Sequence, residues 1–255
     1  MSGVLLSLRE VSMHFGGLKA LDRVSFDLHQ GEILGLIGPN GAGKTTCFNT
    51  VSGVYRPTSG EIVFGGVRTD GLPPHKMAAL GIGRTFQIVR PFPDLTVLDN
   101  VIVAMGLSCY GRFFSACGSW KGTKTRQGAM ELLEKVGLES LASSKAGLLP
   151  LGNLRRLEIA RALALEPKLL LLDESFSGLR HEEIEMQEQL VRTTRQEGIS
   201  ILLIEHNMRV AMGLSDRLVV LDHGIKLTEG SPEEVRRNPD VIRAYLGKGG
   251  ETHAA

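Results

Sequence analysis

The chain has 255 residues, of which 42% are hydrophobic and 22% charged, and its formal net charge is +1 at pH 7. This length allows one α/β domain with a sizeable core, and the small net charge gives no overall field for nucleic acid or an anionic membrane surface. No run of about 18 apolar residues occurs, so we expect no transmembrane helix. The three cysteines lack CxxC spacing, which favours free thiols over a metal site. Any membrane role is therefore expected to depend on a partner.

Apolar periodicity divides the chain into alternating strands and helices. In chain order we predict strands at residues 5–11, 24–28 and 32–37, a helix at 44–51, a strand at 61–64, helices at 96–105, 124–136 and 154–165, and strands at 169–172, 199–204 and 218–221. Residues 106–122 are rich in Gly, Ser and aromatic residues and are expected to form a loop. Strands separated by helices imply a parallel sheet with covered faces. The strand-poor stretch of about 90–155 is expected to be a helical subdomain inserted in this α/β core.

A phosphate-binding motif, G-x-x-x-x-G-K-[ST], lies between the predicted strand 32–37 and the helix 44–51. Glycines let backbone N–H groups face phosphates, and the start of the helix adds partial positive charge. Lysine reaches the β- and γ-phosphates and the threonine hydroxyl binds Mg²⁺. A chance glycine-rich turn is the alternative, but the flanking strand and helix favour a nucleotide site. The predicted ATP-binding residues here are Gly38, Pro39, Asn40, Gly41, Ala42, Gly43, Lys44, Thr45 and Thr46.

An acidic pair, Asp173-Glu174, follows the apolar strand 169–172. The strand would place the pair at the carboxyl edge of the sheet, where open α/β folds bind ligands. Asp173 would hold Mg²⁺, directly or through water, and Glu174 would orient and polarise the attacking water. An ordinary solvated turn is the alternative for such a dipeptide alone. The phosphate-binding motif upstream favours the catalytic interpretation.

Further segments occur in the order found in the ATP-binding subunits of ABC transporters, which this chain resembles over residues 5–247. Four segments carry the resemblance: Arg84-Thr85-Phe86-Gln87 is similar to the Q-loop, Leu149-Pro150-Leu151-Gly152-Asn153 to the signature motif, Ser177-Gly178-Leu179 to the D-loop, and Glu205-His206-Asn207 to the H-loop. Phe15 falls where that family places an aromatic ring that stacks on adenine. The resemblance implies a P-loop NTPase core with a mainly parallel sheet, an N-terminal antiparallel β-subdomain and an inserted helical subdomain, followed by a short tail at 248–255.

The resemblance also implies roles for single residues. Gln87 would sense the γ-phosphate, contribute to the Mg²⁺ site and pass the nucleotide state to a membrane subunit. Gly152 and Asn153 would cap the nucleotide bound to an opposite subunit. His206 would contact the γ-phosphate and position the water of Glu174. Each of these residue types is common without such a role, so their order around the phosphate loop carries the interpretation.

Finer features resemble the ATPases of branched-chain amino acid importers. They are the segments at residues 15–21, 84–87, 155–161, 204–208 and 238–247. In such importers two ATPase subunits, identical or different, lie under two integral membrane permease subunits, with a substrate-binding protein outside. The resemblance therefore implies a peripheral protein at the cytoplasmic face of the cell membrane that uses ATP and Mg²⁺ and does not bind nucleic acid.

Four positions depart from the family pattern. Pro150 stands in place of the signature serine, Asn153 in place of its glutamine, and Arg180 in place of the D-loop aspartate; Ser175 follows the acidic pair where proline is usual. The phosphate loop, Gln87, Glu174 and His206 keep the family residues. These departures are either neutral drift or the mark of a weakened half-site that pairs with a stronger partner subunit.

Other functions share parts of this pattern. An ATPase for urea, another amino acid or lipopolysaccharide transport would have most of the same motifs. A soluble ABC ATPase of translation or DNA repair is a second alternative, but such proteins usually carry two cassettes or a long coiled-coil insertion. This chain has one cassette, no heptad run and no basic tract, which favours the transporter. The transported substrate is chosen by other subunits.

Overall fold

The computed structural model describes residues 3–85, 90–109 and 122–246. The chain divides into two compact units, the first formed by residues 1–77 and 200–255 and the second by residues 78–199. In the described part of the chain, no helix is long and apolar enough to cross a membrane. The predicted Q-loop residue Gln87 and most of the predicted loop 106–122 lie outside the described residues. The first residues of that loop were predicted wrongly, because the preceding helix continues to Cys109.

The described residues contain ten β-strands and nine α-helices. The strands are β1 (Val4–Phe15), β2 (Leu18–His29), β3 (Ile33–Ile37), β4 (Ser59–Phe64), β5 (Val67–Arg68), β6 (Ile82–Arg84), β7 (Leu169–Asp173), β8 (Ser200–Ile204), β9 (Arg217–Asp222) and β10 (Ile225–Gly230). The helices are α1 (Lys44–Val51), α2 (Pro74–Leu80), α3 (Val97–Cys109), α4 (Thr123–Lys135), α5 (Leu151–Leu163), α6 (His181–Gln196), α7 (Met208–Leu214), α8 (Pro232–Arg237) and α9 (Pro239–Leu246). Every strand and helix predicted above is present, and the largest difference in an end is at β2, which begins at Leu18 where residue 24 was predicted.

The first unit contains two sheets. β1, β2, β4 and β5 form an antiparallel sheet in the order β2-β1-β4-β5, with the tight turn Gly16-Gly17 between β1 and β2. In the second sheet β3 lies between β8 and β9 and is parallel to both, and β10 adds an antiparallel edge. All residues of β3 and β8 are buried, as expected for parallel strands covered on both faces. The predicted combination of an antiparallel N-terminal sheet and a parallel core is confirmed.

The second unit pairs two short parallel strands and packs three helices together. β6 runs parallel to β7, with Gly83 opposite Leu170. Helix α3 packs on α4 and α5, and α4 also contacts α5. Their contact faces bury apolar side chains at helical spacing, including Val97, Val101, Ala129, Leu133 and Leu157. This helical part leads through α5 to β7, which ends at the predicted metal ligand Asp173.

Candidate nucleotide-binding and hydrolysis site

The phosphate loop of the first unit joins β3 to α1. Its backbone is left-handed at Gly41 and Gly43, with φ angles of 81° and 98°. A Cβ on Gly43 would lie 2.5 Å from the carbonyl oxygen of Ala20, and one on Gly38 would lie 2.1 Å from the carbonyl oxygen of Leu221. Backbone atoms at these distances leave no room for any side chain. The glycines of the motif are therefore required by the loop's own conformation as well as by its ligand.

The charge of Lys44 is held inside this loop. Its side chain is only 5% exposed, and its Nζ donates hydrogen bonds to the carbonyl oxygens of Gly38 at 2.7 Å and Pro39 at 3.0 Å. Among the described residues, no side chain caps the N-terminus of α1, so its first N–H groups face the loop without a side-chain acceptor. An ammonium group and a helix N-terminus at one place suit a polyphosphate.

Phe15 lies on the same unit, at the end of β1. Its ring is 43% exposed and meets the ring of Tyr55 edge-on, with centroids 5.3 Å apart. The turn after Phe15 leads into β2, whose residue Ala20 contacts Gly43 of the phosphate loop. An exposed, laterally supported aromatic face near the loop is suited to stacking on a base.

His206 follows β8 at the sheet edge where the phosphate loop begins. Because Leu36 of β3 pairs with Ile204 of the parallel strand β8, the residues after both strands lie at the same edge of the sheet. His206 is exposed and precedes Asn207, whose side chain caps α7 through the N–H groups of Arg209 and Val210. This N-cap fixes the chain direction directly after His206.

In the second unit, Asp173 is the last residue of β7 and is 2% exposed. One carboxylate oxygen lies 3.3 Å from Nη2 of Arg84, and the other has no hydrogen-bond partner among the residues that the structure describes. Burial raises the pKa of the Asp173 carboxyl, Arg84 opposes this shift, and the charge of Glu174 adds to it. A buried carboxylate oxygen without a donor is costly unless a cation or water satisfies it, which fits the predicted Mg²⁺ ligand.

Glu174 turns away from β7 in a left-handed conformation, with φ of 48°. A non-glycine residue in this region is strained, and such strain is concentrated at functional sites. Its carbonyl oxygen accepts the N–H of Ser177 in the turn that follows. In the described residues, no group of three or more His, Cys, Asp or Glu side chains gathers around one point.

The signature segment of the second unit begins α5. Pro150 is the N-cap residue, and no side-chain hydrogen bond caps this helix within the described residues. Asn153 Oδ1 accepts a hydrogen bond from Nη2 of Arg156 at 2.7 Å, so the Asn153 side chain is held by its own helix. Gly152 is buried and lies directly against the side chain of Glu183 from α6. The structure thus supplies a reason for Gly152 that the sequence did not show.

Two contributors to these segments were missed from the sequence. Glu183 lies against Gly152 and caps α6 by accepting the N–H of Arg180 at 2.8 Å; with Arg at the N-cap position, no capping signal was present in the sequence there. Tyr245 of α9 packs against the buried cluster that includes Ile37, the residue before the phosphate loop. Burial raises the pKa of Tyr245 to about 12. No local pattern links Tyr245 to Ile37, because they meet only in the folded chain.

Comparison with known proteins agrees with these features. Residues 21–177 match the family model described as "ABC transporter". Residues 226–251 match a second model, described as "Branched-chain amino acid ATP-binding cassette transporter". The chain is 43% identical to the high-affinity branched-chain amino acid transport ATP-binding protein LivG of Salmonella typhimurium, and the match covers 97% of this chain and 100% of LivG.

Solved structures give the same relationship. The ATP-binding cassette MJ1267 in its ADP conformation superposes with a TM-score of 0.86 at 30% identity, covering 96% of this chain and 100% of that one. The dimeric cassette MJ0796 superposes with a TM-score of 0.78 at 28% identity, covering 89% of this chain and 99% of that one.

Proposed function

The chain belongs to the ATP-binding family of ABC transporters, whose cassettes bind and hydrolyse ATP, and from this premise we propose that it powers an importer of branched-chain amino acids. The proposed substrate rests mainly on the similarity to LivG over nearly the whole of both chains. The match of residues 226–251 to the branched-chain family model supports it independently.

We propose that the site residues act in two groups. Lys44 and the N–H groups of the phosphate loop hold the β- and γ-phosphates, while Phe15 stacks on adenine. Thr45 and Asp173 hold Mg²⁺, which when bound would neutralise phosphate charge. Glu174 takes a proton from the attacking water, and His206 holds that water and the γ-phosphate in line. The unpartnered oxygen of Asp173 and the strained backbone of Glu174 support these assignments.

We propose further that two such cassettes close over two nucleotides, with Gly152 and Asn153 capping the nucleotide of the opposite subunit. The dimeric cassette among the similar structures supports this arrangement. Within the cassette, residues 5–247, the helical insertion of about 90–155 would carry the contact to the permease subunits. The chain would then be a peripheral protein at the cytoplasmic face of the membrane, linked to an external substrate-binding protein only through the permease.

The docking surface for a short cytoplasmic helix of the permease is proposed at residues 88–95, beside Gln87. Of the three apolar residues expected to make this contact, Val89 lies outside the described residues, whereas Phe92 and Leu95 are 45% and 37% exposed. Such exposure argues against the alternative that both residues fill the helical core. The guanidinium of Arg161 lies 5.3 Å from the Phe92 ring centroid, which holds the aromatic face in place.

Replacement of the proposed base tests the hydrolytic site. Glu174→Gln should bind ATP with the affinity of the natural chain but hydrolyse it at least about 100-fold more slowly, because an amide cannot accept the proton. The control variant Glu233→Gln, which replaces an exposed glutamate of α8, should hydrolyse ATP at the rate of the natural chain. Gel filtration with ATP and Mg²⁺ should show a dimer for Glu174→Gln; a variant that hydrolyses ATP normally would contradict the assignment.

The transported substrate needs a separate experiment. Cells that lack the chain should lose high-affinity uptake of labelled leucine, and the natural chain should restore it while Lys44→Ala should not. Permease subunits should co-purify with the chain from membranes. Normal leucine uptake without the chain, together with lost uptake of another solute, would contradict the proposed substrate and leave the ATPase assignment intact.

A further inference from the structure

Gly152 of the signature segment lies directly against the side chain of Glu183 from α6. A Cβ on Gly152 would lie 2.3 Å from Oε1 of Glu183 and 2.7 Å from its Cδ. Such distances are far inside van der Waals contact. The Glu183 carboxylate therefore occupies the space that any side chain at position 152 would need.

Glu183 is not free to swing away from this position without cost. It is the third residue of α6, and its Oε2 accepts the N–H of Arg180, the N-cap residue, at 2.8 Å. Moving the carboxylate to make room for a methyl group would break this cap. The capping bond thus holds the other oxygen of Glu183 against the first turn of α5.

The charge of Glu183 also suits this place. Helix α5 starts after Pro150, which has no N–H, and has no side-chain cap in the described residues, so a carboxylate beside its first turn faces the positive end of the helix dipole. On the same turn Arg156 donates to Asn153 Oδ1. Burial lowers the pKa of Arg156 and the charge of Glu183 raises it. Glu183 thus acts on the signature turn through both shape and charge.

We infer that Glu183 is a positioning residue that joins the D-loop-like segment, residues 177–180, to the signature turn of the same subunit. The inference rests on the proposed function, in which both segments face a second ATPase subunit. One carboxylate caps α6 at Arg180 and lies against Gly152, so a displacement of the D-loop-like segment toward the signature turn would press on Gly152. Closure over one nucleotide is thereby linked to the geometry at the second.

A double-mutant cycle tests this inference. Gly152→Ala should lower ATP turnover about 10-fold, because its methyl group displaces the Glu183 carboxylate, and Glu183→Ala should lower it about threefold. The double variant should turn over at the rate of Glu183→Ala, since the methyl group then has room. For Glu183→Ala the affinity for a fluorescent ATP analogue should stay within about twofold, because the phosphate loop is unchanged.

The chain offers a matched control. A Cβ on Gly230 would lie 2.7 Å from Oε2 of Glu234, and Glu234 caps α8 by accepting the N–H of Ser231 at 2.7 Å. Both cycles should lower the melting temperature, because each disturbs a capping carboxylate. The cycle of Gly230→Ala and Glu234→Ala should leave turnover unchanged. Equal losses of turnover in both cycles would mean that lost stability alone lowers turnover, and would overturn the inference.

Two outcomes separate this inference from the proposed function. Suppose that the natural chain hydrolyses ATP but the turnover losses of Gly152→Ala and Glu183→Ala multiply in the double variant. The added methyl group at position 152 then acts on something other than Glu183, and only the positioning role is overturned. If the natural chain and the Glu174→Gln variant hydrolyse ATP equally slowly, the hydrolytic assignment fails and the positioning role fails with it.

Discussion

Within the residues that the structure describes, neither the helix after the phosphate loop nor the helix of the signature segment has a side-chain cap, but the fold constrains the two segments differently. At the start of α1, Gly43 has φ of 98°, and backbone atoms fill the space where its Cβ would be. At the start of α5, Pro150 has φ of −59° and ψ of 159°, a conformation that most residues adopt. In that segment Gly152 is constrained by the neighbouring side chain of Glu183.

This difference predicts which motif tolerates substitution. In the phosphate loop the backbone itself requires glycine at positions 38 and 43, so a substitution there would damage the conformation of the loop. In the signature segment the backbone at position 150 has a conformation open to most residues, and the Asn153 side chain is held by Arg156 of its own helix. We therefore expect substitutions at 150 and 153 to affect folding less than substitutions in the phosphate loop.

The largest effect is expected from the more constrained region. Lys44→Ala should weaken ATP binding by about 100-fold or more, because two or more charge-assisted hydrogen bonds of about 1.5–3 kcal/mol each are lost. Titration with a fluorescent ATP analogue measures this, with Lys226→Ala, a surface lysine on β10, as the control. Equal affinities for Lys44→Ala and the natural chain would rule out the phosphate loop as the nucleotide site.

A smaller effect is expected where the second unit exposes apolar side chains. Phe92→Glu should reduce the amount of chain recovered with membranes about 10-fold, because a buried, unpaired carboxylate in the docking surface costs more than 1 kcal/mol. Its soluble ATPase activity should persist. Val67→Glu, at a residue of the first unit that is similarly exposed at 48%, should leave membrane recovery unchanged. Loss of folding in Phe92→Glu would instead place Phe92 in the core.

The secondary structure also divides into elements that the sequence could predict and elements that it could not. Helix α1 was predicted with its observed ends, because a motif fixes its start and an apolar pattern fixes its length. Strand β10 was missed because its apolar residues Ile225 and Leu227 are the exposed ones, at 54% and 37%. Helix α8 has one buried residue, Val235, and is too short for periodicity, although Ser231 and Glu234 form a capping signal that could have located it.

Some residues of the candidate site were predictable from the sequence and others were not. Asp173 and Glu174 were predicted from a strand followed by two acids, and the structure places them at and just after the end of β7. The contact of Gly152 with Glu183 joins two helices that are far apart in the chain, and no single-sequence pattern specifies it. Motifs made of consecutive residues could be found in advance, whereas side chains that support them from other elements could not.

We propose that this chain binds ATP fully but closes poorly over it as a homodimer. A serine at position 150 would supply a hydroxyl and an N–H to the opposite γ-phosphate, and Pro150 has neither donor. The most direct measurement is ATP affinity and steady-state turnover of the natural chain and Pro150→Ser in parallel. We expect equal affinities and a turnover about 10-fold higher for Pro150→Ser, approaching that of the natural chain mixed with its partner ATPase subunit. Equal turnover of the two homodimers, already at the rate of the mixture, would contradict the claim and make the signature changes neutral.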